Sequence, residues 1–329
     1  MLKTDPRYPH FVQILREELV PAMGCTEPIA IAYGAAKARE ILGRLPDRVR
    51  IEASGNIIKN VKSVVVPNTD GLKGIEAAAV AGIVAGRADK ILEVISEVSA
   101  EEKAQMRDYL AAHEVTVAPA QGDVVFDIII TLRAGEEDVR LRIADYHTNI
   151  VRIERCGEVL LDAGKVSEHA EMKGLTDRSC LDVQAIIDFA DTCDLADVRE
   201  LIARQIDYNY AIAQEGMKND WGANIGKVLR DFYGQDVKTR ARYMAAAGSD
   251  ARMSGCEMPV IIVSGSGNQG ITASVPVIEY AKELGVTREK MERAVLLSDL
   301  LTIHMKTGIG RLSAYCGAVS AGCGADSSA

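Results

Sequence analysis

Hydrophobic positions along the chain change period twice, and those changes set out its organisation. Between Pro9 and Leu19 the apolar residues Phe11, Ile14, Leu15 and Leu19 fall at helical spacing before Pro21 and Gly24 interrupt it. Thr26 can cap a second helix with Glu27 and Pro28 in its first turn, running to a stop at Gly43. Cys25 then lies in the joint between two helices. Alternation at Val49, Ile51 and Ala53, the polar break Ser54-Gly55-Asn56, and the run Val64-Val65-Val66 before Pro67 predict two strands around a turn. Gly74 to Ala85 is an Ala/Gly-rich stretch suited to close packing, and Ser99 with Glu102 opens a helix to about Ala112 as a capping box. The period then drops to two. Runs at 125–132, 139–143, 150–153 and 159–161, joined by short turns such as Ala134-Gly135, predict an antiparallel meander. Beyond Gly174 the pattern is helical over 183–190, 198–213, 223–232, 237–247 and 288–306. The expected class is α+β: an N-terminal α+β unit with an antiparallel sheet over 1–175, followed by an all-α unit over 176–329.

Composition narrows the function. Lys+Arg 38 against Asp+Glu 47 gives 38 − 47 = −9, with a pI near 5.2, which disfavours phosphate backbones and anionic membrane surfaces. Aromatics at 5% leave little for stacking on single-stranded nucleic acid. There is no uncharged apolar run of about 20 residues, and the first thirty residues carry Lys3, Asp5, Arg7, Arg16, Glu17 and Glu18, so neither a span nor a signal peptide is expected. A cytoplasmic location follows. Seven cysteines, at 25, 156, 180, 193, 256, 316 and 323, are odd in number and scattered, favouring reduced thiols or metal ligands over a disulfide framework.

Gly265-Ser266-Gly267-Asn268-Gln269-Gly270 matches G-x-G-x-x-G after the apolar run 259–263. A dinucleotide fold also needs a second parallel strand, but 277–284 leads straight into a helical pattern, and Pro276 would fall inside the helix. NAD is therefore not expected. The better reading is a loop at a helix start where Ser264, Ser266, Asn268, Gln269 and backbone N–H groups hold a carboxylate or similar anion. Ser54, Asn56 and Asn60 form a second polar cluster, whereas Asn68 to Gly71 reads as turn chemistry. His147 and His304 are candidate acid–base groups by residue type, with Lys306 two residues after the second. Cys156, Cys180 and Cys193 stand in structural or incidental contexts, while Cys25, Cys256, Cys316 and Cys323 each adjoin glycine.

The four segments Gly24-Cys25-Thr26-Glu27-Pro28, Ser54-Gly55-Asn56-Ile57-Ile58-Lys59-Asn60, Ser264 to Gly270 continuing Ile271-Thr272-Ala273, and Arg311-Leu312-Ser313-Ala314-Tyr315-Cys316-Gly317 occur in the order seen in a known family. The chain resembles the L-cysteine desulfidases, relatives of iron-sulfur serine dehydratase alpha chains. That resemblance implies a lyase without pyridoxal phosphate, holding a [4Fe-4S] cluster on three cysteines and eliminating the β-substituent of an amino acid. L-cysteine would give pyruvate, ammonia and sulfide; the alternatives are L-serine dehydration and an inactive member of the family. Carried over by position, Cys25 and Cys316 are cluster ligands; for that chemistry the residues read above offer His304 and Lys306 as catalytic candidates, Ser266, Asn268 and Gln269 to hold the carboxylate, and Ser54, Asn56 and Asn60 as substrate-binding. The third family cysteine, in a C-D-G-A-K type motif, is not found before Ala329, so a truncated or split member is expected. The expected partners are a small amino-acid substrate, a separate C-terminal segment and, compatibly with the sequence, a second copy of the chain.

Overall fold

In the computed structural model residues 1–164, 175–310 and 317–329 are described, and they fall into two compact units. One comprises residues 23–164 with 255–257; the other comprises 1–22, 175–254 and 258–329. The class is α+β. In chain order the elements are α1 Tyr8–Glu18, β1 Val20–Met23, α2 Thr26–Leu42, β2 Arg48–Ala53, α3 Gly55–Val61, α4 Gly74–Ala85, α5 Ala100–Ala112, β3 Val115–Pro119, β4 Asp127–Ala134, β5 Glu137–Ala144, β6 Ile150–Arg155 and β7 Glu158–Asp162. There follow α6 Val183–Thr192, α7 Arg199–Lys218, α8 Ile225–Tyr233, α9 Val237–Met253, β8 Pro259–Ile262, α10 Gly267–Glu283, α11 Arg288–Thr307 and α12 Gly317–Asp326.

The sheet unit is built on six strands in the order β3-β2-β4-β5-β6-β7. From β4 to β7 it is the antiparallel meander that the alternation predicts, and β3 adds in parallel to β2 with Val49 opposite Val115. Alternation sends Val49, Ile51, Ile128, Ile130, Leu141 and Ile143 into the core. The opposite face carries Arg50, Thr131, Arg140 and Glu154 across the strands. Helix α2 lies on the apolar face, and it does so closely because Gly34 has no Cβ: one built there would stand 2.7 Å from Ile130 Cδ1. Helix α4 packs on α2 more closely still, since a Cβ at Gly82 would sit 2.1 Å from the Ala32 carbonyl oxygen. The capping box forms at α5, with Ser99 and Glu102 reciprocally bonded, and Gly43 ends α2 in the left-handed region at φ 82°.

One expected strand is not formed. After β2 the chain winds into α3, because the Ser54 hydroxyl accepts the Ile57 N–H as an N-cap and Ile57 and Val61, four residues apart, bury one face. Val64 to Val66 contributes only an isolated bridge, Val65 to Lys73. The polar break is thus a helix start rather than a hairpin turn.

In the helical unit α1 joins α6, α7 and α11 in one core. Phe11 stacks on Phe189 at 4.8 Å between centroids, and Ile14, Leu15, Ile202, Ile206, Leu296 and Leu300 belong to the same buried cluster. Residues 1–22 therefore pack with the second half of the sequence. Strand β8 pairs with β1, and the amide of Asn209 on α7 meets its other edge, accepting from the Ile261 N–H and donating to the Ile261 carbonyl. From β8 the chain enters α10, turns at Gly285 and continues as α11, so no second parallel strand follows.

Candidate functional site

In the sheet unit the chemistry gathers at the entry to α2. Gly24 adopts φ 66°, a left-handed conformation, and has no room for a side chain because Pro67 Cγ would lie 2.7 Å from its Cβ. This turn delivers Cys25 to the N-cap of α2, where it is 6% exposed. Its thiol donates to Glu27 Oε2 at 3.0 Å, and the Thr26 hydroxyl donates to the same oxygen at 3.2 Å. From α3, Asn60 Nδ2 donates to Glu27 Oε1 at 3.3 Å. Glu27 is thus the hub of the cluster, a site residue that its place in the sequence leaves unmarked. Its signal was an acid in the first turn, two positions after a cysteine cap.

Ser54, Asn68 and Thr69 spend side-chain bonds on the backbone. The Ser54 hydroxyl, besides capping α3, donates to the Val125 carbonyl at 2.7 Å, so its bonds serve the backbone. Asn56 stands in the first turn of α3. Asn68, at φ 57°, donates to the Ile95 carbonyl at 2.8 Å, and Thr69 donates to the Val66 carbonyl, which is turn chemistry. His147 is buried with its ring edge-on to Phe126 at 4.8 Å.

In the helical unit the G-x-G-x-x-G segment opens α10, and each glycine has a separate physical reason. Ser264 and Gly265, at φ 46° and 82°, form a left-handed turn bridged by mutual Val263–Ser266 backbone bonds of 3.1 Å. Ser266 caps α10 by accepting the Gln269 N–H at 3.4 Å. A Cβ at Gly267 would lie 2.2 Å from Arg252 Nε, and one at Gly270 would lie 2.1 Å from the Ile261 carbonyl oxygen. The motif therefore lets an arginine and a strand approach a helix start. Arg252, in the last turn of α9, is 2% exposed and donates from Nη1 to Asn268 Oδ1 at 3.0 Å. Its Nε has no partner, and among the described residues no carboxylate pairs with it. Gln269 is fully buried, with neither amide atom bonded among the described residues. Nothing in the sequence points to Arg252, which sits fifteen residues before Gly267.

His304 and Lys306 occupy the last turn of α11, where the helix dipole favours cations. Lys306 is buried; His304 is half-buried and lines a cavity of about 850 Å³ with Thr176, Arg178 and Met305. Arg178 is held by Glu17 at 2.7 Å and Glu18 at 2.8 Å. Further up the same helix the buried Asp299 carboxyl is pushed up to about 8 by loss of water, which outweighs the hydrogen bond from Gln205 at 2.8 Å. Burial likewise pushes the Cys180 and Cys193 thiols up, in keeping with structural roles.

Of the two cysteines carried over as ligands, Cys25 is described and Cys316 lies outside the described residues. Among the described residues no three His, Cys, Asp or Glu side chains form a metal-binding group, and no helix is long and apolar enough to cross a membrane.

Comparison with known proteins gives one consistent relationship. The family described as serine dehydratase alpha chain matches residues 89–329. A UPF0597 protein of Desulfitobacterium hafniense is 61% identical over 324 residues, covering 98% of this chain and 75% of that protein. Similar proteins, also called UPF0597, come from Lachnoclostridium phytofermentans, 51% identical over 97% of this chain and 76% of theirs, and from Treponema denticola, 48% identical over 96% and 74%.

Proposed function

The chain belongs to the serine dehydratase alpha chain family, and on that premise we propose that it is a lyase acting on a small β-substituted amino acid, with L-cysteine as substrate. The observation that carries this reading is the Cys25–Glu27–Asn60 cluster at the start of α2. A buried sulfur at the positive end of a seventeen-residue helix suits a thiolate ligand for iron. Glu27 is placed to take the proton that Cys25 Sγ gives up, and Asn60 and Thr26 hold that carboxylate in register. Cys25 and Cys316 would hold an iron-sulfur group, which would supply a Lewis acid for the departing β-substituent.

The remaining work falls to the chain itself. The start of α10 binds the carboxylate of the amino acid, using the helix N-terminus and the polar side chains around Asn268. A base removes the α-proton, the electron pair forms the Cα–Cβ double bond, and sulfide leaves. The resulting aminoacrylate takes up water to give pyruvate and ammonia, so that cysteine and water become pyruvate, ammonia and hydrogen sulfide. His304 and Lys306 are the candidates for the base. L-serine would follow the same course with water as leaving group, and the family relationship favours keeping it as the second substrate.

The test is anaerobic loading with iron and sulfide, followed by pyruvate formation from L-cysteine and L-serine without pyridoxal phosphate. Cysteine should be turned over faster, and Cys25→Ala should lose most of its iron and activity while Cys180→Ala keeps both. Pyruvate from neither amino acid overturns the lyase reading; faster turnover of serine overturns the substrate order.

A further inference from the structure

A buried arginine is costly unless its charge is met, and in proteins it is met by a carboxylate or a phosphate. Arg252 is not. Among the described residues its only partners are the Met253 sulfur and the neutral Asn268 carbonyl oxygen, and its Nε is buried with no acceptor. The guanidinium also faces the first residue of α10, close enough that Gly267 can carry no side chain. The first turn of α10 has no acidic residue, so the positive end of a seventeen-residue helix and a positive guanidinium adjoin with no carboxylate paired to that guanidinium among the described residues. That combination is built for an anion from outside. A planar, two-oxygen anion matches the planar fork of arginine, which a carboxylate can engage with two parallel hydrogen bonds.

Resting on the amino-acid reading above, we propose that Arg252, facing the Gly267 backbone at the start of α10, anchors the α-carboxylate of the substrate. Asn268 then acts as a positioning residue, since its side-chain oxygen accepts from Arg252 Nη1 and fixes the plane of the guanidinium. The site selects amino acids with a free carboxylate over the corresponding amides and amines. Gly267 is the permissive element, because any side chain there displaces the guanidinium.

Calorimetry of L-serine, L-serinamide and inorganic phosphate, each titrated into the anaerobically loaded protein, tests this directly. Wild type should bind L-serine at least thirtyfold more tightly than L-serinamide or phosphate. Arg252→Met should bind L-serine at least thirtyfold more weakly and should no longer distinguish it from the amide, with Arg252→Lys in between. Gly267→Ala should reproduce the loss independently, so the test does not depend on any one variant folding. Unchanged circular dichroism of these variants would separate lost binding from lost structure. An Arg252→Met protein that still prefers the acid to the amide overturns the assignment. So does wild type that binds phosphate as well as serine, or that binds no serine. Serine binding that depends on Arg252 without any pyruvate formation would retire the lyase reading and leave the carboxylate site standing. Pyruvate formation with an unchanged KM in Arg252→Met would do the reverse.

Discussion

Arg142 in the sheet unit and Arg252 in the helical unit handle the same side chain in opposite ways. Arg142 grips Asp127 through two bonds of 2.8 and 2.9 Å, and it remains 29% exposed while the carboxylate is buried. Arg252 is deeper and has no carboxylate partner among the described residues. The contrast extends beyond the two residues. Among the described residues Gln205, Gln269, Asp299 and Thr302 in the helical unit also keep buried polar atoms without partners, while in the sheet unit Arg39 Nε does so. A pair that is closed contributes to folding; polarity left open is a cost the fold carries, and such costs concentrate where something else is to bind.

The largest expected effect comes from opening the closed pair. Arg142→Met should destabilise the protein by about 3 kcal/mol in denaturant unfolding, because it strands Asp127 as a buried charge. A loss under about 1 kcal/mol would mean that water reaches Asp127 and the pair is a surface one. Next is the pH response of Asp299. Its carboxyl titrates at about 8 when folded and near 4 when unfolded, so between those values the folded state holds a proton that the unfolded state has released. Stability should therefore fall as pH rises from about 4 to 8, over any single pH unit by less than the loss in Arg142→Met. Asp299→Asn, which keeps an oxygen for Gln205, should flatten that part of the profile in thermal melts. An identical slope in the variant would remove Asp299 as its source.

Smaller again are the two serine caps, one in each unit. Ser54→Ala and Ser266→Ala should each cost about 1 kcal/mol of stability. A binding loss for L-serine in calorimetry without any loss of stability would give the hydroxyl to the substrate instead. Smallest is Arg252→Met in the absence of ligand, which should melt within about 1 kcal/mol of wild type or above it, since it deletes an uncompensated buried charge. A loss comparable to that of Arg142→Met would show that Arg252 is structural and erase the contrast.

Much of this was legible in residue order. The meander, the capping box at Ser99, the stop at Gly43 and the helix start at Ser266 all rest on local chemistry, and local chemistry is what a sequence displays. The reading of Val64 to Val66 as a strand failed because one serine hydroxyl, taken for part of a turn, caps a helix. The placement of α1 was hidden for another reason: its apolar stripe shows that it is buried, not which helices bury it, and Phe189 lies far along the chain. The site divides the same way. Cys25, Asn268 and Gln269 stand inside recognisable segments, and Glu27 stands beside them with its role unmarked. Arg252 belongs to no segment of its own, and only the fold brings it to Gly267.

The contact between α2 and α4 sets a limit of a different kind. Gly82 on α4 meets the backbone of Ala32 with no space for a methyl group, and Gly34, two residues beyond Ala32 on α2, faces the side chains of Ile130 and Ile143 of the sheet, 2.7 and 3.0 Å from where its Cβ would lie. Glycine is the smallest residue available, so these positions stand at the end of their range and can change in only one direction, toward a collision. Random substitution elsewhere in α2 and α4 samples gains and losses alike; at these two sites it samples losses alone. A mutational library across α2 and α4 should therefore show two silent columns, one in each helix, in an otherwise permissive map, marking where the architecture has used up its freedom to drift.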